Sequence, residues 1–208
     1  MKLAVVYQLQ GRLKEGEILL VKLIEIRKEC FGEDDPKSLE LTAHLACNYF
    51  DQSRLGEAEQ LYLRNISLGR KVLGEKHPAH LRSGWRLAEV FLQQHRFKKG
   101  EEIILGVLEH SDIVLGEEHP ETITARMLLA KMLEGQRRWH ESDTVSLKAI
   151  EQSKMAMGEE DPLTRRTMRL YALSLWSQGR WREAVLGFYR SSRLKTHLRC
   201  ASLFDLGA

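Results

Sequence analysis

One five-residue signature recurs without drift, and it constrains this chain more than any other feature. Gly32-Glu33-Asp34-Asp35-Pro36 returns as Gly74-Glu75-Lys76-His77-Pro78, as Gly116-Glu117-Glu118-His119-Pro120 and as Gly158-Glu159-Glu160-Asp161-Pro162. The prolines stand 42 residues apart each time. Other positions keep the same register: Ala4, Ala46, Ala88, Ala130 and Ala172; Gln10, Gln52, Gln94, Gln136 and Gln178; Arg12, Arg54, Arg96, Arg138 and Arg180. Leu13, Leu55, Phe97, Trp139 and Trp181 hold one bulky position, and Gly16, Ala58, Gly100, Ser142 and Ala184 one small position. Self-similarity at a fixed period of this size marks a stacked array. One unit cannot bury its apolar face alone, and its neighbours complete the core.

The period divides the 208 residues into a partial unit at about 1–31 and full units at 32–73, 74–115, 116–157 and 158–199. Residues 200–208 are left as a C-terminal cap or tail, because Cys200-Ala201-Ser202-Leu203-Phe204 does not repeat the linker. Counting one period back from Pro36 falls ahead of Met1, so the first helix is expected to be clipped.

Each unit reads as two helices. Leu39, Ala43, Ala46, Tyr49 and Phe50 recur at helical spacing, Gln52-Ser53-Arg54 interrupts them, and Leu55, Ala58, Leu61, Tyr62, Ile66 and Leu73 resume it. Gly74 suits the left-handed position past a helix end, Pro78 suits a first helical position, and His77 or Asp35 before the proline can cap the next helix. The small residues let helices approach closely.

Composition narrows the function classes. With 43% hydrophobic and 29% charged residues the chain has enough apolar material for a core, which excludes wholesale disorder. No apolar run reaches membrane-spanning length. Cys30, Cys47 and Cys200 show no C-x-x-C spacing, which suits a reducing compartment, and a cytoplasmic location is expected. The net charge of +3 is uneven: residues 161–208 hold nine Lys/Arg against three acids. These arginines are scattered and match no nucleic-acid module, so nucleic acid is not the expected partner.

No phosphate-binding loop, H-E-x-x-H, G-x-S-x-G or G-x-G-x-x-G is present. The histidines do not cluster with Cys or carboxylates at metal spacing. His110-Ser111-Asp112 cannot form a triad, because adjacent helical residues point apart. Cys47 has no activating base beside it in sequence. No catalytic residue, metal ligand or cofactor is expected, and the chain is not read as an enzyme.

Leu45-Ala46, Tyr49, Gln52, Leu55, Glu57-Ala58 and Leu61-Tyr62 resemble the tetratricopeptide repeat (TPR). The 42-residue period and the linker are similar to the longer kinesin-light-chain type, over residues 2 to about 197. The resemblance implies an all-α, right-handed superhelical solenoid of antiparallel helix pairs, with the first helices lining a concave groove. With Ala46 taken as the family's small mid-helix position, the groove would receive Phe50, Arg82, Trp85, Glu89, Leu92, Met127, Lys131, Arg166, Arg169, Leu173 and Trp176. Glu40, Ala43, Cys47, Asp51, Gln93, Thr124, Glu134, Gly135 and Ser177 fall on the same face.

Aromatics with arginine have the composition of binding hot spots, and arginine favours planar carboxylates. The implied function is a protein-interaction scaffold whose groove takes a peptide with acidic and bulky apolar side chains. The Asn-Asn pair common in kinesin light chains is replaced here by Ala43-His44, Trp85-Arg86, Met127-Leu128 and Arg169-Leu170, so the backbone clamp of that family is absent. A second reading is a C-terminal sensor tail of a larger NB-ARC-type signalling ATPase, since such arrays also resemble this one. The uncapped N-terminal unit offers apolar surface for self-association.

Overall fold

A computed structural model of the chain describes residues 2–32 and 35–191. The expected tail at 200–208, and the basic residues beyond Ser191, lie outside the described residues. Among the described residues ten helices follow one another: α1 (Lys2–Leu9), α2 (Leu13–Phe31), α3 (Pro36–Asp51), α4 (Leu55–Val72), α5 (Pro78–Gln93), α6 (Phe97–Val114), α7 (Pro120–Gly135), α8 (Trp139–Met157), α9 (Pro162–Ser177) and α10 (Trp181–Ser191). Each helix packs against the next, and α3–α5, α5–α7 and α7–α9 also touch. The first helix of each unit therefore lies on the tight, inner side of the stack.

The linker chemistry sets the helix starts. Asp35, His77, His119 and Asp161 are N-caps whose side chains accept from the backbone N–H of Ser38, Ala79, Glu121 and Leu163, and each precedes a proline in the first turn. Histidine serves here through Nδ1, at 3.2 Å in both cases. Gly74 has the positive φ expected of it, at 85°. Gly32 and Gly158 have φ 82° and 84° but ψ 175° and 168°, outside the left-handed helical region and in one that only glycine occupies readily.

The turn inside each unit holds a second strained position. Gly11, Ser53, His95, Arg137 and Gly179 all have φ between 57° and 77° and keep the 42-residue register. Three of the five are not glycine, so the backbone there is held by its surroundings at a steric cost.

The small positions are buried. Ala46, Ala58, Ala88 and Ala172 are fully inaccessible, and a Cβ at Gly100 would collide with the Met132 side chain. The joints between units differ in chemistry. Tyr62 meets Leu87, Val90 and Phe91 where α4 meets α5. Where α8 meets α9, Ala149 and Met157 share an apolar cluster with Leu163 and Leu170, and Ser153, Thr164 and Thr167 are also buried, with the Thr164 hydroxyl donating to the Ser153 carbonyl at 3.0 Å.

Each of four joints is also crossed by the same polar clamp. Gln52 Nε2 and Arg54 Nη1 donate to Glu17 at 2.9 and 2.8 Å. Gln94 and Arg96 hold Glu59 at 2.9 and 2.5 Å, and Gln136 and Arg138 hold Glu101 at 2.6 Å each. Gln178 donates to Asp143 at 3.0 Å, joined by Arg180. This explains why Gln and Arg recur two residues apart. Burial opposes ionisation of Glu17 and Glu59, but donation from Gln and Arg outweighs it and holds both carboxyls below their usual range.

Candidate binding groove

The inner face is built by α3, α5, α7 and α9, because the apolar stripe of each faces its partner second helix and leaves the opposite edge open. Among the sequence-derived groove residues, six meet in one recess: Trp85 and Glu89 from α5, Met127 and Lys131 from α7, with Arg166 from α9 and Thr124 at the rim. Arg169, Leu173 and Trp176 lie on α9, all exposed, with Leu173 and Trp176 at 49% and 48%. Arg82 is exposed and reaches Glu121 at 3.3 Å. Phe50 is half-buried against the α3–α4–α5 core, and Leu92 against the α5–α6–α7 core.

Two groove residues sit deeper than their spacing suggests. Met127 is only 5% exposed and packs with Ile123 and Ala149, so it forms floor rather than contact surface. Trp85 is half-buried against the central core, with the Arg86 guanidinium 4.4 Å above its ring and Arg86 Nη1 bonded to Glu89 at 2.8 Å. One face of that indole is therefore already covered by a cation. Trp176 instead meets Trp181 edge-on, with ring centroids 4.6 Å apart, and both remain about half exposed.

Glu134 lies on the same face. Burial raises its carboxyl above the usual range, and the Ser142 hydroxyl at 3.3 Å is a weak partner.

A second hollow was not visible in the periodicity. A cavity of about 420 Å³ opens between α3 and α5, floored by Tyr62 and Asn65 of α4. Ala43 and Gly69 make the room: one period on, Ala43 becomes Trp85, and Gly69 becomes Ser111. Its wall carries Cys47, His44, His80, Arg82 and Arg86. Burial lowers both His44 and His80 below the usual imidazole range, so both are neutral at physiological pH. This volume falls within the range typical of ligand pockets, about 300–1,000 Å³. The sequence signal was a small residue at two positions whose repeat equivalents are larger.

The His, Ser and Asp of 110–112 go separate ways: His110 Nδ1 meets the Gly106 carbonyl at 2.9 Å, and Asp112 pairs with Arg126. Among the described residues no group of three His, Cys, Asp or Glu side chains could hold a metal ion, and no helix is long and apolar enough to cross a membrane.

Comparison with solved structures places this architecture. The chain is similar to a Podosopora anserina protein, described as a kinesin light chain with nearly identical TPR-like repeats, at TM-score 0.80 and 21% identity, over 91% of this chain and 90% of that one. It is similar to BtubC (BKLC) from P. vanneervenii at TM-score 0.79 and 18% identity, over 91% and 75%. It also resembles MamA from Desulfovibrio magneticus RS-1, at TM-score 0.64 and 14% identity, over 91% and 89%. These likenesses concern the fold. No curated protein matches the chain. The family model of the tetratricopeptide repeat matches residues 1–64 and 121–197, more than half of the sequence, so the chain belongs to the tetratricopeptide repeat family.

Proposed function

We propose that the chain is a non-enzymatic interaction module, whose groove binds a peptide carrying acidic and bulky apolar side chains. The recess joining Trp85, Lys131 and Arg166 is the observation that carries this reading. It sets two cations around an apolar floor made by Met127 and Leu170. Arg169, Leu173 and Trp176 extend the same pairing of positive charge with exposed apolar surface along α9. A carboxylate on the ligand gains charge-assisted hydrogen bonds there, and a neighbouring apolar side chain gains buried area. With arginine and tryptophan where kinesin light chains carry asparagines, recognition runs through side chains more than through the peptide backbone.

The test is a displayed random-peptide library selected on the wild-type protein and on Arg166→Glu/Arg169→Glu/Trp176→Ala. The expected outcome is enrichment of peptides with acidic and aromatic residues that the triple variant fails to retain. Selections indistinguishable between the two proteins would remove the groove from the reading.

A further inference from the structure

We infer that the hollow between α3 and α5 is a binding site for a small fused-ring aromatic acid, taken up as a free molecule. The inference is independent of the peptide groove proposed above.

The chain itself shows what this space takes. Position 43 recurs as Ala43, Trp85, Met127 and Arg169. One unit on, the Trp85 indole packs against the cluster that holds Ile104, Val107 and Leu128, and the recess left beside it is about 40 Å³. A further unit on, Met127 is buried with Ile123 and Ala149. Between α3 and α5 the side chain stops at the Ala43 Cβ, and about 420 Å³ stays open. The floor is nevertheless present, because Tyr62 and Asn65 stand in the register of Ile104 and Val107. What Trp85 supplies within one unit, a bicyclic ring from outside can supply in the other, burying its faces against Leu39, Tyr62 and Leu73.

The walls define the rest of the ligand. Three cations, Lys37, Arg82 and Arg86, line the hollow against one acid, Glu40. Arg82 gives Nη2 to Glu121 at 3.3 Å and Arg86 gives Nη1 to Glu89 at 2.8 Å. A guanidinium carries five N–H donors, so both arginines keep donors for a carboxylate. Their charges are felt inside the hollow: after burial, and against Glu40, they help to keep His44 neutral. Their side chains are 59% and 37% exposed, which places this charge at the rim. A peptide side chain would bring an uncharged backbone amide to that rim, whereas a free acid brings the countercharge.

An unmet hydrogen bond lies deeper. His80 Nδ1 is enclosed and has no partner, and buried polar atoms are ordinarily bonded. A Cβ on Gly69 would stand 3.6 Å from it, so this nitrogen faces the floor that Gly69 leaves bare. Neutral imidazole protonated at Nε2 accepts at Nδ1, and a ring N–H on the ligand satisfies it. A bicyclic ring bearing N–H, with a carboxylate turned to Arg82 and Arg86, uses all three features.

The probe is indole-3-acetate, titrated into the full chain by calorimetry and by saturation-transfer NMR. Saturable binding with a Kd of about 0.1–1 mM is expected for a ligand of this size. N-acetyltryptophanamide, which carries the same ring on a neutral backbone, should bind about tenfold more weakly. Ala43→Trp, which copies the next unit, should abolish binding. Should that variant fail to fold, Gly69→Ser, the residue of Ser111 one period on, places a hydroxyl at His80 Nδ1 and should weaken binding about tenfold. The groove variant Arg166→Glu/Arg169→Glu/Trp176→Ala should bind as wild type does. No saturation up to about 10 mM probe, or binding that neither cavity variant alters, overturns the proposal. Equal affinity for the amide would assign the hollow to a peptide side chain, and loss of binding in the groove variant would move the site to the groove; either result overturns it too.

Discussion

Arg138 Nη1 lies 2.6 and 2.8 Å from the two oxygens of Glu101, bridging the joint between α6 and the α7–α8 turn. The carboxylate is mostly shielded, with 15% of its side chain exposed, while the guanidinium is 38% exposed. The pair therefore sits between a surface ion pair and a buried one, and its removal should be felt but not catastrophic.

Glu101→Ala strands the donors of Arg138 and Gln136 in a half-dry joint. The expected loss is about 2 kcal/mol in urea unfolding, with a coupling of about 1 kcal/mol in a double-mutant cycle with Arg138→Gln. Additive effects of the two changes would mean that the geometry contributes no energy of its own.

The clamps also set an acid limit. Glu17 and Glu59 have folded-state values below their unfolded ones, so their stabilisation is complete above the ordinary carboxylate range and is lost as pH falls through it. Asp35, held down to about 2 by Arg27 and the Ser38 donors, extends the loss to lower pH. Urea midpoints measured from pH 7 to pH 2.5 should show Glu59→Gln below wild type at neutral pH, with the gap closing on acidification. A gap independent of pH would contradict the assignment.

Glu134 should behave with the opposite sign. Its folded value is raised, so the charged form destabilises the protein as pH rises above the ordinary carboxylate range. Glu134→Gln should raise the melting temperature at pH 7, and the gain should vanish toward pH 4. An equal gain at both pH values would point to packing rather than charge.

Arg137 takes φ 61° at the positive-φ position that Gly11 and Gly179 fill in their own units. Relief of the Cβ clash, less the extra freedom of glycine when unfolded, should make Arg137→Gly more stable by about 0.5 kcal/mol. Arg137→Val should lose more than about 1 kcal/mol, because branching worsens the clash. Thermal melts in the order Gly, Arg, Val are the expected outcome.

Arg126 is nearly enclosed, with 6% of its side chain exposed, and its partners are Asp112 at 2.6 Å, Gln152 at 2.7 Å and the Glu117 carbonyl at 2.9 Å. Asp112→Ala leaves that guanidinium only the Glu117 carboxylate, 4.0 Å away, as countercharge and should destabilise by about 2 kcal/mol. The repeat itself suggests the remedy: the next unit carries Met168 in this register, also buried. Arg126→Met should therefore lose less than Asp112→Ala, by calorimetry or urea unfolding.

Much of this fold was legible because its physics is local and repeated. Pro78 and His77 announce a helix start in sequence alone, and Ala46 with Ala58 announces close approach. The recurrence of Gln52 and Arg54 was equally visible. Their partner Glu17 was not, since it lies 35 and 37 residues away and only stacking brings it near. The strain at Ser53 and Arg137 left no trace, because neither residue type signals positive φ. On the groove, spacing located the face but not the depth. Met127 and Trp85 share a stripe with Trp176, yet neighbouring helices bury the first, and Arg86 covers the second.

The buried hydroxyls of the α8–α9 joint have a mechanical consequence. Stretched from its ends, the array behaves as springs in series, each carrying the same force, so it yields at the joint where separation exposes the least apolar surface. Hydroxyls such as Thr164 and Thr167 exchange their partners for water readily, whereas Tyr62 and Phe91 at the second joint do not. Under tension the α9–α10 hairpin should peel away first, carrying Arg166, Arg169 and Trp176 with it. A load on this molecule would thus dismantle the basic end of the groove while the rest of the stack stays closed.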